Sequence, residues 1–177
     1  AQGGLRGNIR LGVSEDDVLS GLPLVLKQFM DSHPQVELEL TVGVSETLRS
    51  KLDSGKLDIV LQKRLESEAR GTLVWRDPLI WASAPDFRFA PDRPIPLVVL
   101  APPAITRTIA LAALENNGCH WRVICSSDSQ SGVYAALRAG LGIAPHAKSL
   151  LPPDLTIMRA KVLPDLGATE FVIVRRK

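Results

Sequence analysis

The sequence predicts an α/β fold of two similar lobes, each a small parallel sheet with helices. Three observations predict it. Short apolar runs alternate with stretches of helical period, first over residues 9–61 and again over 96–144. The tetrapeptide Gly-Val-Ser-Glu occurs twice, at Gly12–Glu15 and Gly43–Glu46, each time where an apolar run ends and a helical pattern begins. A last apolar run, Glu170 to Val174, is placed to rejoin the first lobe.

Ile9, Leu11 and Val13 alternate with polar or small residues and read as a strand. Val18, Leu22, Val25, Leu26 and Phe29 recur at helical spacing until His33-Pro34, where proline stops the helix. Val36, Leu38, Leu40 and Val42 alternate with Glu37, Glu39 and Thr41, the pattern of a strand with one wet face. Leu48 and Leu52 mark a short helix ended by Gly55, and the apolar run Leu57 to Leu61 reads as a central strand. Right-handed crossovers turn this βαβαβ run into a parallel sheet of order 2-1-3, with strand 36–42 on the edge.

After a proline-rich passage, Pro85 to Pro96, the theme repeats. Pro96 to Leu100 reads as a strand, and Ile109, Ala110, Ala113 and Leu114 as one helix face. Trp121 to Cys125 is a strand, Ser126 to Ser129 lead into a helix carrying Val133, Ala136 and Leu137, and Leu141 to Ala144 make a third strand. The chain returns through Leu155 to Ile157. Two lobes joined by two crossings predict a ligand cleft between them, at the carboxyl ends of the strands.

Composition narrows the function. A net charge of +2 with interspersed signs gives no basic stripe for nucleic acid. Two cysteines, Cys119 and Cys125, are too few for a disulfide scaffold and suit a reducing, cytoplasmic setting. No apolar run approaches the roughly 20 residues a bilayer span needs, and Ala1-Gln2-Gly3-Gly4 reads as a linker or cut site. His33, His120 and His146 show no metal spacing with the cysteines, so neither metal nor cofactor is expected. Gly140-Leu141-Gly142 follows a helix and opens a strand, the reverse of a dinucleotide loop. The serine of Gly12-Val13-Ser14-Glu15-Asp16 lacks the second glycine of a nucleophile elbow.

Leu5-Arg6-Gly7-Asn8-Ile9-Arg10-Leu11-Gly12, Leu22-Pro23, Phe29, His33-Pro34, Gly55-Lys56-Leu57-Asp58-Ile59 and Ala139-Gly140-Leu141-Gly142-Ile143-Ala144 occur in this order along the chain. This set resembles the effector-binding domain of LysR-type transcriptional regulators over residues 5–174. Ile95 to Leu100 and Pro152-Pro153-Asp154-Leu155 lean toward the LrhA/HexA branch, regulators of motility and virulence. The resemblance implies a periplasmic-binding-protein-like fold of type 2: two Rossmann-like lobes with an effector in the cleft between them. Lobe I would take residues 1–83 and 161–177, and lobe II 84–160. The resemblance also implies an N-terminal winged helix-turn-helix, absent from this chain and the sole route to DNA. The helix that the family carries after its last strand is missing beyond Arg175-Arg176-Lys177. A side-by-side antiparallel dimer is implied, tetrameric in the full-length protein, with helix 17–32 and strand 36–42 facing the partner's 106–116 and 121–125.

The junctions supply the site residues. Ser14 and Ser45 either cap the helices they precede or touch the effector, and both roles can coexist. Val44 lies in the second of these loops. Glu15 would repel an anion, which leaves the sign of the effector's charge open. Gln62 and Lys63, with Arg64, follow the central strand onto the same rim, where a cation pairs a carboxylate or phosphate or else is merely solvated. Ile105, Thr106 and Arg107, with Ser127 and Asp128, occupy the corresponding junctions of the second lobe. Thr106 and Ser127 are the stronger candidates, since a short hydroxyl needs no charge compensation, while Arg107 could face solvent. Peroxide-sensing members of the family carry a cysteine pair, but the matching positions, near Ala104 and Ala113, are not cysteine.

The leading function is therefore effector sensing and dimerisation for a bacterial regulator acting in the cytoplasm, with no membrane partner. The alternative is a periplasmic-type solute-binding protein for transport, which shares the fold. An enzyme is not expected, because no acid–base pair, activated nucleophile or metal cluster stands out.

Overall fold

A computed structural model describes residues 6–15 and 22–177 of the chain. The chain forms two compact units, Ala1–Trp75 with Glu170–Lys177, and Arg76–Thr169. It passes from one to the other inside β4 (Thr72–Ser83) and returns inside β9 (Ala168–Arg175).

The first unit contains β1 (Arg6–Ser14), α1 (Leu22–Ser32), β2 (Gln35–Gly43), α2 (Ser45–Asp53) and β3 (Ile59–Arg64). β1 pairs in parallel with β2 on one side and β3 on the other, which is the expected 2-1-3 order with β2 at the edge. β9 then runs antiparallel to β3, from Ile59 opposite Arg175 to Arg64 opposite Glu170. Leu48 and Leu52 of α2 pack on Leu57, Val60, Val172 and Val174, and this cluster holds the helix against the sheet. Gly55, at φ +75°, ends α2 as the sequence predicts. Its N–H donates to Leu52 O and that of Lys56 to Lys51 O, the paired bonds of a Schellman cap. Asp58 locks β3 to β1: it accepts from the Arg10 backbone N–H (2.9 Å) and from the Arg10 guanidinium (3.0 and 3.2 Å). The predicted start of the first helix, from residue 17, lies outside the described residues. In Leu22–Ser32 no side chain is buried.

The second unit carries β5 (Ile95–Leu100), α3 (Ile105–Asn116), β6 (Trp121–Ser127), α4 (Gln130–Arg138), β7 (Ala144–Ala147) and β8 (Thr156–Ile157). β5 and β6 are parallel, and β4 is antiparallel to β7 and β8. Val133, Tyr134, Ala136 and Leu137 of α4 meet Ala82, Val98, Ala144 and Leu155 in its core. The buried His146 ring joins this layer through a 2.7 Å hydrogen bond between Nε2 and the Tyr134 hydroxyl.

Two expectations need correction. The third strand of the second lobe is not Leu141–Ala144 but Ala144–Ala147. Leu141 is consumed by the cap of α4: Gly140 N donates to Leu137 O and Leu141 N to Ala136 O, with Gly140 at φ +73°. Ile143 then makes a single parallel bridge to Leu97 before the strand begins. The twelve-residue β4 was not foreseen at all. Its first half is mostly exposed and its second half mostly buried, with Pro78 inside it, so no single period runs through the segment.

Candidate functional site

In the first unit the parallel register brings the carboxyl ends of three strands together. Ser14 lies opposite Gly43, and Val13 lies between Val42 and Leu61. Ser14 ends β1 and is 3% exposed, with Glu15 directly after it. Val44 is the cap residue of α2, and its side chain makes no capping hydrogen bond. Ser45 is the first residue inside that helix, 5% exposed. Its hydroxyl does not cap α2. It accepts the backbone N–H of Lys63 at 3.0 Å and so ties the helix start to β3. The capping reading of Ser14 involves residues outside those described.

Gln62 is the most telling residue of this junction. It has no solvent exposure, and neither its Oε1 nor its Nε2 has a hydrogen-bond partner. Its place on β3 is opposite Val172, on the face shared with Val60. A buried primary amide left unpaired costs about 1–3 kcal/mol, so a group retained in that state is a candidate for a partner supplied from outside. The buried Oε2 of Glu46, in the first turn of α2, is likewise without a partner. Lys63 is 6% exposed, and its ammonium stands 5.8 Å from the centre of the Phe171 ring. Phe171 in turn stacks on Trp75, with centroids 4.2 Å apart and planes 11° from parallel. The ammonium over the ring is a cation–π contact. Sequence reading missed the aromatic pair because Trp75 belongs to the unforeseen β4.

The second unit repeats the arrangement in a different key. Leu100 lies opposite Ser127 at the ends of β5 and β6, and Ala101 N donates to Ser127 O at 2.7 Å. Ile105 and Thr106 open α3 and are 6% and 7% exposed. Arg107 does not simply face solvent. Its guanidinium donates to Leu100 O (3.1 Å) and Ser126 Oγ (3.3 Å), clamping the helix start to both strand ends. The Ser127 hydroxyl accepts from Ser129 N (3.2 Å), while Ser129 caps α4 by accepting from Gly132 N (3.1 Å). Gly132 is required by this packing, since a Cβ there would collide with Ser127 Oγ. Asp128 is exposed at the turn. Thus the structure gathers Ser14, Val44, Ser45, Gln62 and Lys63 at one junction, and Thr106, Arg107, Ser127 and Asp128 at another.

The description LysR substrate binding domain matches residues 2–177. The chain belongs to that family. Among curated relatives, a LysR-type match is the regulator DgdR of Burkholderia cepacia, 31% identical over 94% of this chain and 58% of its own length. The regulator PecT of Dickeya dadantii is 27% identical over 97% of the chain and 54% of its own length. The chain therefore spans a little over half of these relatives, both named HTH-type transcriptional regulators. In fold it matches the CcmR regulatory domain of Synechocystis in complex with 2-PG, with a TM-score of 0.77 and 19% identity over 95% of this chain and 86% of that one. The effector-binding domain of QuiR in complex with shikimate gives 0.71 and 14% identity over 98% and 89%. The architecture is thus the periplasmic-binding-protein-like type 2 fold of LysR effector-binding domains.

Proposed function

We propose that this LysR domain senses a small-molecule effector for a transcriptional regulator, and that the unpaired, fully buried Gln62 amide is part of the recognition site. The observation that supports the reading most is that amide, held at the strand end where Ser45 and Lys63 meet. In the first unit the effector contacts are Ser14, Glu15, Val44, Ser45, Gln62 and Lys63. In the second they are Ile105, Thr106, Arg107, Ser127 and Asp128. Ile105 sits buried and contributes through its backbone at the helix start, where free N–H groups donate to acceptor atoms of a polar ligand. Ser127 and Arg107 act chiefly by holding their loops rigid, which lowers the ordering cost of binding.

In the whole protein, a separate N-terminal winged helix-turn-helix reads DNA. The domain itself dimerises in the cytoplasm, and full-length protomers form tetramers. Support for an interface comes from Leu24 and Val25 on α1 and Leu40 and Val42 on β2, all 42–64% exposed and apolar. Placement in the LrhA/HexA branch rests on Ile95–Leu100 and Pro152–Leu155 and is part of the same proposal. The transport alternative is disfavoured by the naming of the relatives as regulators. The coding sequence upstream of residue 1 tests the two directly. About ninety residues with a helix-turn-helix support the sensor, whereas a signal peptide supports transport. A thermal-shift screen over metabolites, repeated with Ser45→Ala and Thr106→Ala, tests the site. A ligand that stabilises all three proteins equally contradicts it.

A further inference from the structure

The second unit holds a cavity of about 680 Å³ that none of the proposed effector residues lines. Its volume lies within the range of small-molecule sites. One wall is the segment after β4: Ser83, Pro85, Arg88, Phe89 and Pro91. The other is β8 with the segment after it, Thr156 to Val162. The two walls are stitched by main-chain bonds. β8 pairs with Ala82 and Ser83, and Met158 N donates to Trp81 O at 2.7 Å. Turns closed by Phe87 N to Ala84 O and Leu163 N to Ala160 O shape the rims. The cavity is thus built on paired backbone.

Among the described residues the lining carries three cations, Arg88, Arg159 and Lys161, and no carboxylate. Arg88 is oriented by its own turn, Nη1 donating to Phe87 O (2.6 Å) and Pro85 O (3.3 Å). Phe89, Ile157 and Met158 supply apolar surface between the cations. Three like charges around one hollow repel one another, and a bound anion relieves that repulsion while its apolar body covers the ring and thioether.

We propose that this cavity is a second ligand site, for an organic anion with an apolar or aromatic body. Binding there should weaken with salt.

The chain has two methionines, Met158 in the cavity and Met30 in α1, so methyl-labelled methionine gives a reporter and an internal control. The probe is 1-anilinonaphthalene-8-sulfonate, with the uncharged N-phenyl-1-naphthylamine as its counterpart. The expected result is a saturable shift of the Met158 methyl with the sulfonate and a weaker one with the neutral probe. In Arg159→Glu/Lys161→Glu, both exposed positions, the sulfonate affinity falls at least tenfold, while Gln62→Leu leaves it unchanged. Equal response to both probes, or affinity unchanged by the charge reversal, overturns the proposal. So does a Met30 shift with a silent Met158. Loss of sulfonate binding in Gln62→Leu would place the probe at the first site and overturn it as well.

Discussion

In the proposed site, Gln62 sets stability against recognition in one side chain. Burying its amide without partners is a cost the folded domain bears when empty, and an aliphatic replacement of similar size removes it. Gln62→Leu is therefore expected to raise the melting temperature of the ligand-free domain by several degrees while abolishing the stabilisation an effector confers. Thermal melts with and without ligand read both effects. Asp58 shows the opposite case, a polar group fully satisfied by its partners. Hydrogen bonds from the Arg10 side chain and backbone hold its carboxyl down to about 2, against burial, with Arg10 and Arg176 adding charge attraction. A carboxyl lowered on folding stabilises the native state above its unfolded value near 4. That contribution fades as pH falls through the interval from about 4 to about 2. Asp58→Asn should accordingly melt a few degrees lower than the native domain at pH 7, and the gap should close in acid. A gap that persists at the lowest accessible pH would point to packing instead of charge.

Elements are held at their starts and stops by single residues, and these decided how much the sequence could reveal. The 2-1-3 order, the edge position of β2 and the end of α2 at Gly55 were legible, because alternation, apolar runs and a glycine cap each leave a local signature. β4 was not, since its burial changes half-way and carries no period. The strand expected at Leu141 moved three residues because cap bonds of α4 claimed that backbone first. For the candidate site, the twin Gly-Val-Ser-Glu motif located the junction but misread the chemistry of Ser45, whose hydroxyl reaches across to Lys63 N. A long-range bond of that kind has no trace in local sequence. Removing it with Ser45→Ala should cost about 1 kcal/mol, seen as a lower denaturation midpoint with unchanged slope. In the second unit, Gly132→Ala forces a Cβ onto Ser127 Oγ and should destabilise by about 1–3 kcal/mol. Ser127→Gly in the same chain should recover much of that loss, and a double-mutant cycle measures the coupling.

For the whole molecule, the proposal gives the apolar residues of α1 and β2 and the paired strand ends two separate tasks, association and sensing. Leu24 and Val25 are 64% and 59% exposed, and with Leu40 and Val42 they make up the apolar surface offered for association. If the proposed dimer forms through this face, Leu24→Glu with Leu40→Glu should give a monomer in light scattering without lowering the melting temperature of the monomer. Sensing, in contrast, requires an effector that binds one arrangement of the protein better than another, since equal affinity shifts nothing. The most direct measurement is a calorimetric titration of the metabolite that most raises the melting temperature, into the native domain, Gln62→Leu and Arg159→Glu/Lys161→Glu. The account predicts at least a tenfold loss of affinity in Gln62→Leu and native affinity in the double variant. Native affinity in Gln62→Leu would contradict it.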